Sequence, residues 1–303
     1  MSETKMESNL GAQTSSGYEP RVSASPQKVF GIDARLIMPI LITTILLVGQ
    51  LFYGILESYT LTLLAIGSAV VVELALSKFL TGKFSFPASA YISGISVGIL
   101  TRSPFAWPFA LCAALSIASK YVLRYGGRHL WNPSNFGITL MLMISPWAFS
   151  TLSIQWGNNL FAMVIIWTLG SIIIYRLKRF HIILTYVPLF ILSAAFITFW
   201  QGTSFYTNVS PITGPMYQLY IFFMITDPMT TVRRSKRVQS FVVLLIVLAE
   251  TALRMNQNIH APYYALFIVG PITNFIDIYL RKSEEIQVPG VEPSLDSGLK
   301  GIS

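Results

Sequence analysis

The chain has 303 residues, of which 53% are hydrophobic and 11% charged, and its mean hydropathy is +0.60. An average soluble domain carries about 25% charged residues, so this composition excludes a soluble enzyme and indicates an integral membrane protein. The net charge of +8 is spread through short loops between apolar stretches, a pattern explained by positive-inside orientation and not by a nucleic-acid partner.

Residues 1–33 are polar and Ser-rich and predict a disordered cytosolic tail, and 281–303 predict a second one. The first apolar stretch, 36–56, has full spanning length, so it reads as an anchor and not as a cleaved signal. Further helices are predicted at about 59–77, 87–100, 105–124, 133–149, 159–175, 182–200, 213–225, 238–255 and 261–280. Together they make an all-α membrane domain over 34–280, with ten helical segments.

Two of these segments, 87–100 and 213–225, are too short to span. About 14 helical residues rise about 21 Å against a hydrocarbon core of about 30 Å. They occupy matching places in two halves, about 34–149 and 159–280, and each runs into a polar tip, Thr101-Arg-Ser-Pro104 and Thr226-Asp-Pro228. Paired short segments of this kind point to an inverted repeat with a site at the repeat interface. Five segments per half make the second half enter the membrane upside down relative to the first.

With the N-terminus in the cytosol, 18 of the 21 Lys and Arg residues fall inside, only Arg102 and Arg254 fall outside, and Lys120 lies within a helix. Both termini are therefore placed in the cytoplasm of a cell whose plasma (inner) membrane holds the domain.

Glu73 and Glu250 lie deep in apolar segments. A charge at that depth costs at least about 2.5–3.5 kcal/mol, so each must face the bundle interior or water. Each is either a stop on an ion or proton pathway or a carboxylate held by a neighbour for structure alone. Lys120 is the natural counter-charge. It stands nine residues before His129, as Glu250 stands ten before His260, which suggests a Lys120–Glu250 pair across the repeat, unless Lys120 snorkels to the cytosolic face.

In WNPSNFG (131–137), Asn132 suits a helix N-cap and Pro133 the first helical position. Asn135 then falls in a first turn whose free N–H groups suit an anionic or hydrogen-bonding ligand, though the same residues also make a plain helix start. Thr101, Thr226 and Asp227, at the tips of the short segments, are candidates to line a shared pocket, because irregular backbone in a membrane persists only beside protein or a cavity. Asp227 equally suits the end of a half-helix ahead of Pro228.

The single Cys112 excludes internal disulfides and an iron-sulfur cluster held by this chain alone. His129, His181 and His260 all sit near loops, which argues against bis-histidine haem. There is no glycine-rich loop for nucleotide hydrolysis and no metal-ligand motif.

At WNPSNFG and FFMITDPMT the chain resembles the NqrB/RnfD family of membrane flavin subunits, over roughly 36–280. The family's Glu in the second helix, its Lys before a Gly-rich loop, its N-P-A-x-x-G helix start and its F-x-M-x-T-D-P segment are similar to Glu73, Lys120 with Gly126-Gly127, residues 132–137 and residues 222–228. Arg254 and Asp277 are similar to two further family residues. The resemblance implies a 5+5 inverted-repeat fold that binds flavin and takes part in electron flow coupled to cation or proton movement, with other membrane or redox subunits as partners. Taken with the readings above, the candidate cofactor contacts are Lys120, Thr101, Asn132, Asn135, Thr226 and Asp227, and the candidate ion pathway is Glu73 and Glu250.

One departure matters. The family joins FMN to the Thr of an S-G-A-T motif after the fifth helix, whereas residues 145–159 here read SPWAFSTLSIQWGNN. Covalent FMN is therefore not expected, and any flavin is non-covalent riboflavin or FMN. The shortened loop is similar to the UnbU-type branch of the family. The alternative reading is an inverted-repeat transporter or channel for a small solute or ion with no redox role.

Overall fold

The computed structural model describes residues 28–29, 32–54, 56, 58–151, 160–227, 231–232 and 234–287. The chain is mostly helical. After a two-residue ladder, β1 (Lys28–Val29) with β2 (Ile32–Asp33), come α1 (Ala34–Tyr53), α2 (Tyr59–Thr81) and the short α3 (Ala88–Leu100). β3 (Thr101–Arg102) leads to α4 (Trp107–Val122). The hairpin β4 (Arg124–Tyr125) and β5 (Arg128–His129) joins it to α5 (Pro133–Ile144), which is followed by β6 (Ser150–Thr151).

The second half begins with α6 (Leu160–Leu177) and α7 (Phe180–Gln201). The short α8 (Phe205–Val209) and a 3-10 turn (Ser210–Thr213) follow, and α9 (Pro215–Leu219) then continues directly as a π-helix (Tyr220–Met224). α10 (Lys236–Met255) and α11 (Ala261–Gln287) complete it.

Local chemistry accounts for the boundaries. Ser58 caps α2 by accepting from the Leu61 amide, and Gly82 ends it in the left-handed conformation that glycine tolerates. The expected fifth helix, 133–149, stops at Ile144. Pro146 has no amide to give and disfavours helical backbone at Ser145, which sits at φ −139°. Gly126 and Gly127, both at positive φ, make the two-residue turn between β4 and β5. At the other end, α11 continues to Gln287 through residues expected to be tail, and most of both expected tails lies outside the described residues.

Among the described residues, four helices are long and apolar enough to cross a membrane: Tyr59–Thr81, Phe180–Gln201, Lys236–Met255 and Ala261–Arg281. Their outward positions are large and apolar, such as Leu63 and Val71 on α2 and Leu184 and Phe199 on α7. α2 packs on α3 and α4, and α4 packs on α5. α10 packs on α7 and α11, while contacts of α5 with α11 and α1 with α6 join these groups.

The short α3 is held by backbone proximity. Gly94 and Gly98 form a G-x-x-x-G stripe against α2, and a Cβ at Gly94 would lie 2.6 Å from the Ile66 Cα. Such closeness leaves nothing flexible to move aside. Gly94→Ala is expected to lower stability by about 1–3 kcal/mol through overpacking. The control Gly67→Ala, where a Cβ meets open space, leaves stability unchanged or slightly raised. Thermal unfolding in detergent checks the pair.

Candidate functional site

A cavity of about 220 Å³ lies between the two short helical pieces, both of which line it. One face of α3 supplies Ser89, Ile92, Ser93 and Ser96, positions that recur every three or four residues and so fall on one helical stripe. The π-helix and the residues after it supply Phe222, Phe223, Met224, Thr226 and Asp227, while Lys120, His129, Asn132 and Ser134 close the polar end. The widened π turn, closed by the Ile225 amide on the Tyr220 carbonyl, lets both Phe222 and Phe223 reach the cavity. Gly170 of α6 admits the Phe222 ring, which a Cβ there would meet at 2.6 Å.

Asn132 ties the polar end together. Its Oδ1 accepts from the Asn135 amide at 3.1 Å, capping α5 as the sequence predicts. Its Nδ2 donates to Asp227 Oδ2 at 3.1 Å. Asp227 in turn holds the chain beyond it, since its carbonyl accepts from the Thr231 hydroxyl and amide. One asparagine thus fixes the start of α5 to the tip of the second short piece.

Lys120 is buried, and its Nζ donates to Glu73 Oε2 at 2.6 Å and to Ser89 Oγ at 2.5 Å. The Tyr121 hydroxyl donates to the other Glu73 oxygen at 2.9 Å. Both carboxylate oxygens are therefore satisfied, and the lysine faces the carboxylate on one side and the cavity on the other.

This corrects the expected Lys120–Glu250 pair and the snorkelling alternative. α4, which carries Lys120, packs on α2, whereas α10, which carries Glu250, packs on α7 and α11. Glu250 is instead held by two tyrosines, accepting from Tyr186 at 2.7 Å and Tyr217 at 2.9 Å. One turn on, the Arg254 guanidinium lies 4.4 Å from the centre of the Phe190 ring and donates to the Asn208 carbonyl.

Of the residues singled out from the sequence, Lys120, Asn132, Thr226 and Asp227 line the cavity. Glu73 stands directly behind it through Lys120. Thr101 does not line it. Its backbone pairs with Thr151 and its side chain is buried one residue beyond Leu100, which does. Asn135 is likewise buried away from the cavity, with its amide donating to the Tyr263 carbonyl at 3.3 Å. Asp277 lies apart, paired with Arg128, Arg234 and Arg281 at 3.1–3.6 Å.

The sequence reading missed the three tyrosine donors and the serine stripe. Ser89, Ser93 and Ser96 could have been found from their helical spacing in an otherwise apolar short segment. The tyrosines gave no local signal, because their partners are 33 to 64 residues away.

His129, in the hairpin between α4 and α5, is held below the ordinary imidazole range by burial first and then by Arg124 and Lys120, with Asp227 opposing. Its neutral form is thus favoured in the folded state. Among the described residues no cluster of His, Cys, Asp and Glu could hold a metal ion. Compared with known proteins, the chain matches no family model and no curated sequence.

Two expectations follow from this geometry. Lys120→Met leaves Glu73 buried without its cation and is expected to destabilise by about 3–5 kcal/mol. The double variant Lys120→Met with Glu73→Gln recovers most of that loss, as read from melting temperatures in detergent. For His129 the folded state binds fewer protons than the unfolded state, so its contribution is complete at high pH and is lost as pH falls below about 6.5. His129→Gln should therefore flatten the decline of melting temperature on the acid side.

Proposed function

We propose that this chain is an integral membrane protein of the 5+5 inverted-repeat type, α3 and the α9–π piece being the paired half-helices, and that its cavity binds a flavin or quinone ring. In this reading the protein is the membrane subunit of a redox-linked electron transport system coupled to cation or proton movement, and partner subunits deliver the electrons. The observation that carries the proposal is the cavity itself. It sits at the junction of two helical pieces too short to span, with Lys120, Asn132 and Asp227 at one end and Ile92, Phe222 and Phe223 along its side.

The residues present fit such a ring. A flavin ring system has one edge rich in carbonyl and N–H groups and another that is apolar, and the lining divides in the same way. The volume of about 220 Å³ is below the roughly 300–1,000 Å³ of pockets for drug-sized ligands, so the cavity would take the ring portion alone, with the rest of the molecule outside it, and not a dinucleotide. Lys120 and Asn132 would donate to ring carbonyls, Asp227 would accept from a ring N–H, and the aromatic wall would exclude water. A flavin bound there supplies one- and two-electron transfer.

Glu73, one hydrogen bond behind Lys120, is the first carboxylate on the proposed ion or proton pathway. Glu250, held by neutral tyrosine donors, is the second carboxylate on the proposed ion or proton pathway. A second reading, passage of a solute or ion without redox chemistry, is favoured by the missing S-G-A-T loop, because half-helix ends around a central site serve transport equally well.

Absorption and mass spectrometry of gently extracted protein test the proposal. The expected result is a flavin spectrum whose chromophore leaves as free riboflavin or FMN on denaturation. Asp227→Asn should weaken rebinding of added riboflavin by about fivefold, the worth of about one net hydrogen bond. Protein that contains no flavin, takes up none, and passes solute in proteoliposomes without an electron donor would favour the second reading.

A further inference from the structure

The outer face of α6 carries a groove that the cavity does not use. Val164, Trp167, Thr168, Ser171, Ile172 and Tyr175 line it, and it encloses about 620 Å³. These positions recur every three or four residues along one face of the helix. Its wall is apolar and open to the surroundings, with Trp167 half exposed.

One end closes on Arg176 and Phe180. Here the chain turns sharply through Lys178 at φ +54°, and the amides of Lys178 and Arg179 bond back to the carbonyls of Tyr175 and Ile174. Arg176, Lys178 and Arg179 are thereby gathered into a single turn. A hydrogen bond of 2.7 Å between His181 Nε2 and Gln239 Oε1, and one from Thr185 to Ser240, set the starts of α7 and α10 side by side. The exposed Lys236 and Arg237 at the start of α10 therefore stand at the same end.

We propose that this groove is a binding site for a phospholipid with an anionic headgroup. An acyl chain lies along Val164, Trp167 and Ile172, and the headgroup phosphate sits among Arg176, Lys178 and Arg179. The length of apolar wall leading to the cations distinguishes this site from one for a free anion, which would leave the groove unfilled. Basic residues at the end of a lipid-facing helix attract anionic lipid over zwitterionic lipid. The inference rests on the membrane assignment and is independent of what the cavity binds.

The test uses the full chain in phosphatidylcholine proteoliposomes doped with brominated phosphatidylglycerol or brominated phosphatidylcholine, with the Trp167 contribution isolated by difference against Trp167→Phe. The expected result is Trp167 quenching about twofold or more stronger with the anionic probe, unaffected by added inorganic phosphate. The triple change Arg176→Gln, Lys178→Asn, Arg179→Gln should bring the two probes level. Lys178→Asn alone, an exposed position where Asn suits the left-handed backbone, should lower the preference part-way and guards against misfolding of the triple variant. Equal quenching by both probes in the unaltered chain overturns the proposal. So does loss of the preference with inorganic phosphate, or efficient crosslinking between copies through Ser171→Cys, which would mean that a second chain covers the groove. Absence of quenching by either probe overturns the membrane assignment as well.

Discussion

A buried carboxylate must be given a counter-charge or hydrogen-bond donors, and the first half of the chain is organised around meeting that demand at Glu73. Three side chains converge on it: Lys120 and Tyr121 from α4, and Ser89 from α3 through the lysine. Because breaking such a pair leaves a desolvated charge, the cost of moving any one of these helices is high. The close glycine contacts of α3 on α2 make that arrangement possible. The second half meets the same demand differently, holding Glu250 with two tyrosines. The two carboxylates therefore differ in kind. One is half of an ion pair, and the other is solvated by neutral hydroxyls.

This asymmetry bears on the proposed function. Lys120 belongs at once to the Glu73 pair and to the cavity wall, so a ligand that draws the ammonium toward itself weakens its hold on Glu73. The cavity and the ion pair behind it are thus linked through one side chain. Asn132 performs the corresponding mechanical task by joining the α5 start to Asp227. In the proposed reading these two links make the junction of the short helices a place where electron and ion movement meet.

Much of this was legible in the chain because it rests on local chemistry. The N-cap at Asn132, the Pro133 start, the two short segments and the burial of Glu73 and Glu250 all follow from residue type and neighbours. Partner choice does not. Lys120 was matched with Glu250 by symmetry of spacing, yet contact follows helix packing, and α4 lies on α2. The same limit separates Thr226, which lines the cavity, from Thr101, which turns aside into a ladder with Thr151. Matching order along two halves of a chain pairs positions but does not give them equivalent surroundings. The end of α5 at Ile144 is a smaller case, where apolar residues after Pro146 imitate a helix that the proline forbids.

If a ligand binds in the cavity between the short helices, a thiol placed on the cavity wall is shielded when that ligand is present. Ser96→Cys, on the α3 stripe, is made with the buried Cys112 changed to Ala, and its modification rate by a small thiol reagent is followed with and without riboflavin. Riboflavin should slow labelling at this position and leave a control thiol at the exposed Trp147 unaffected. Equal rates at Ser96→Cys with and without riboflavin, in protein that otherwise melts normally, would contradict binding in the cavity.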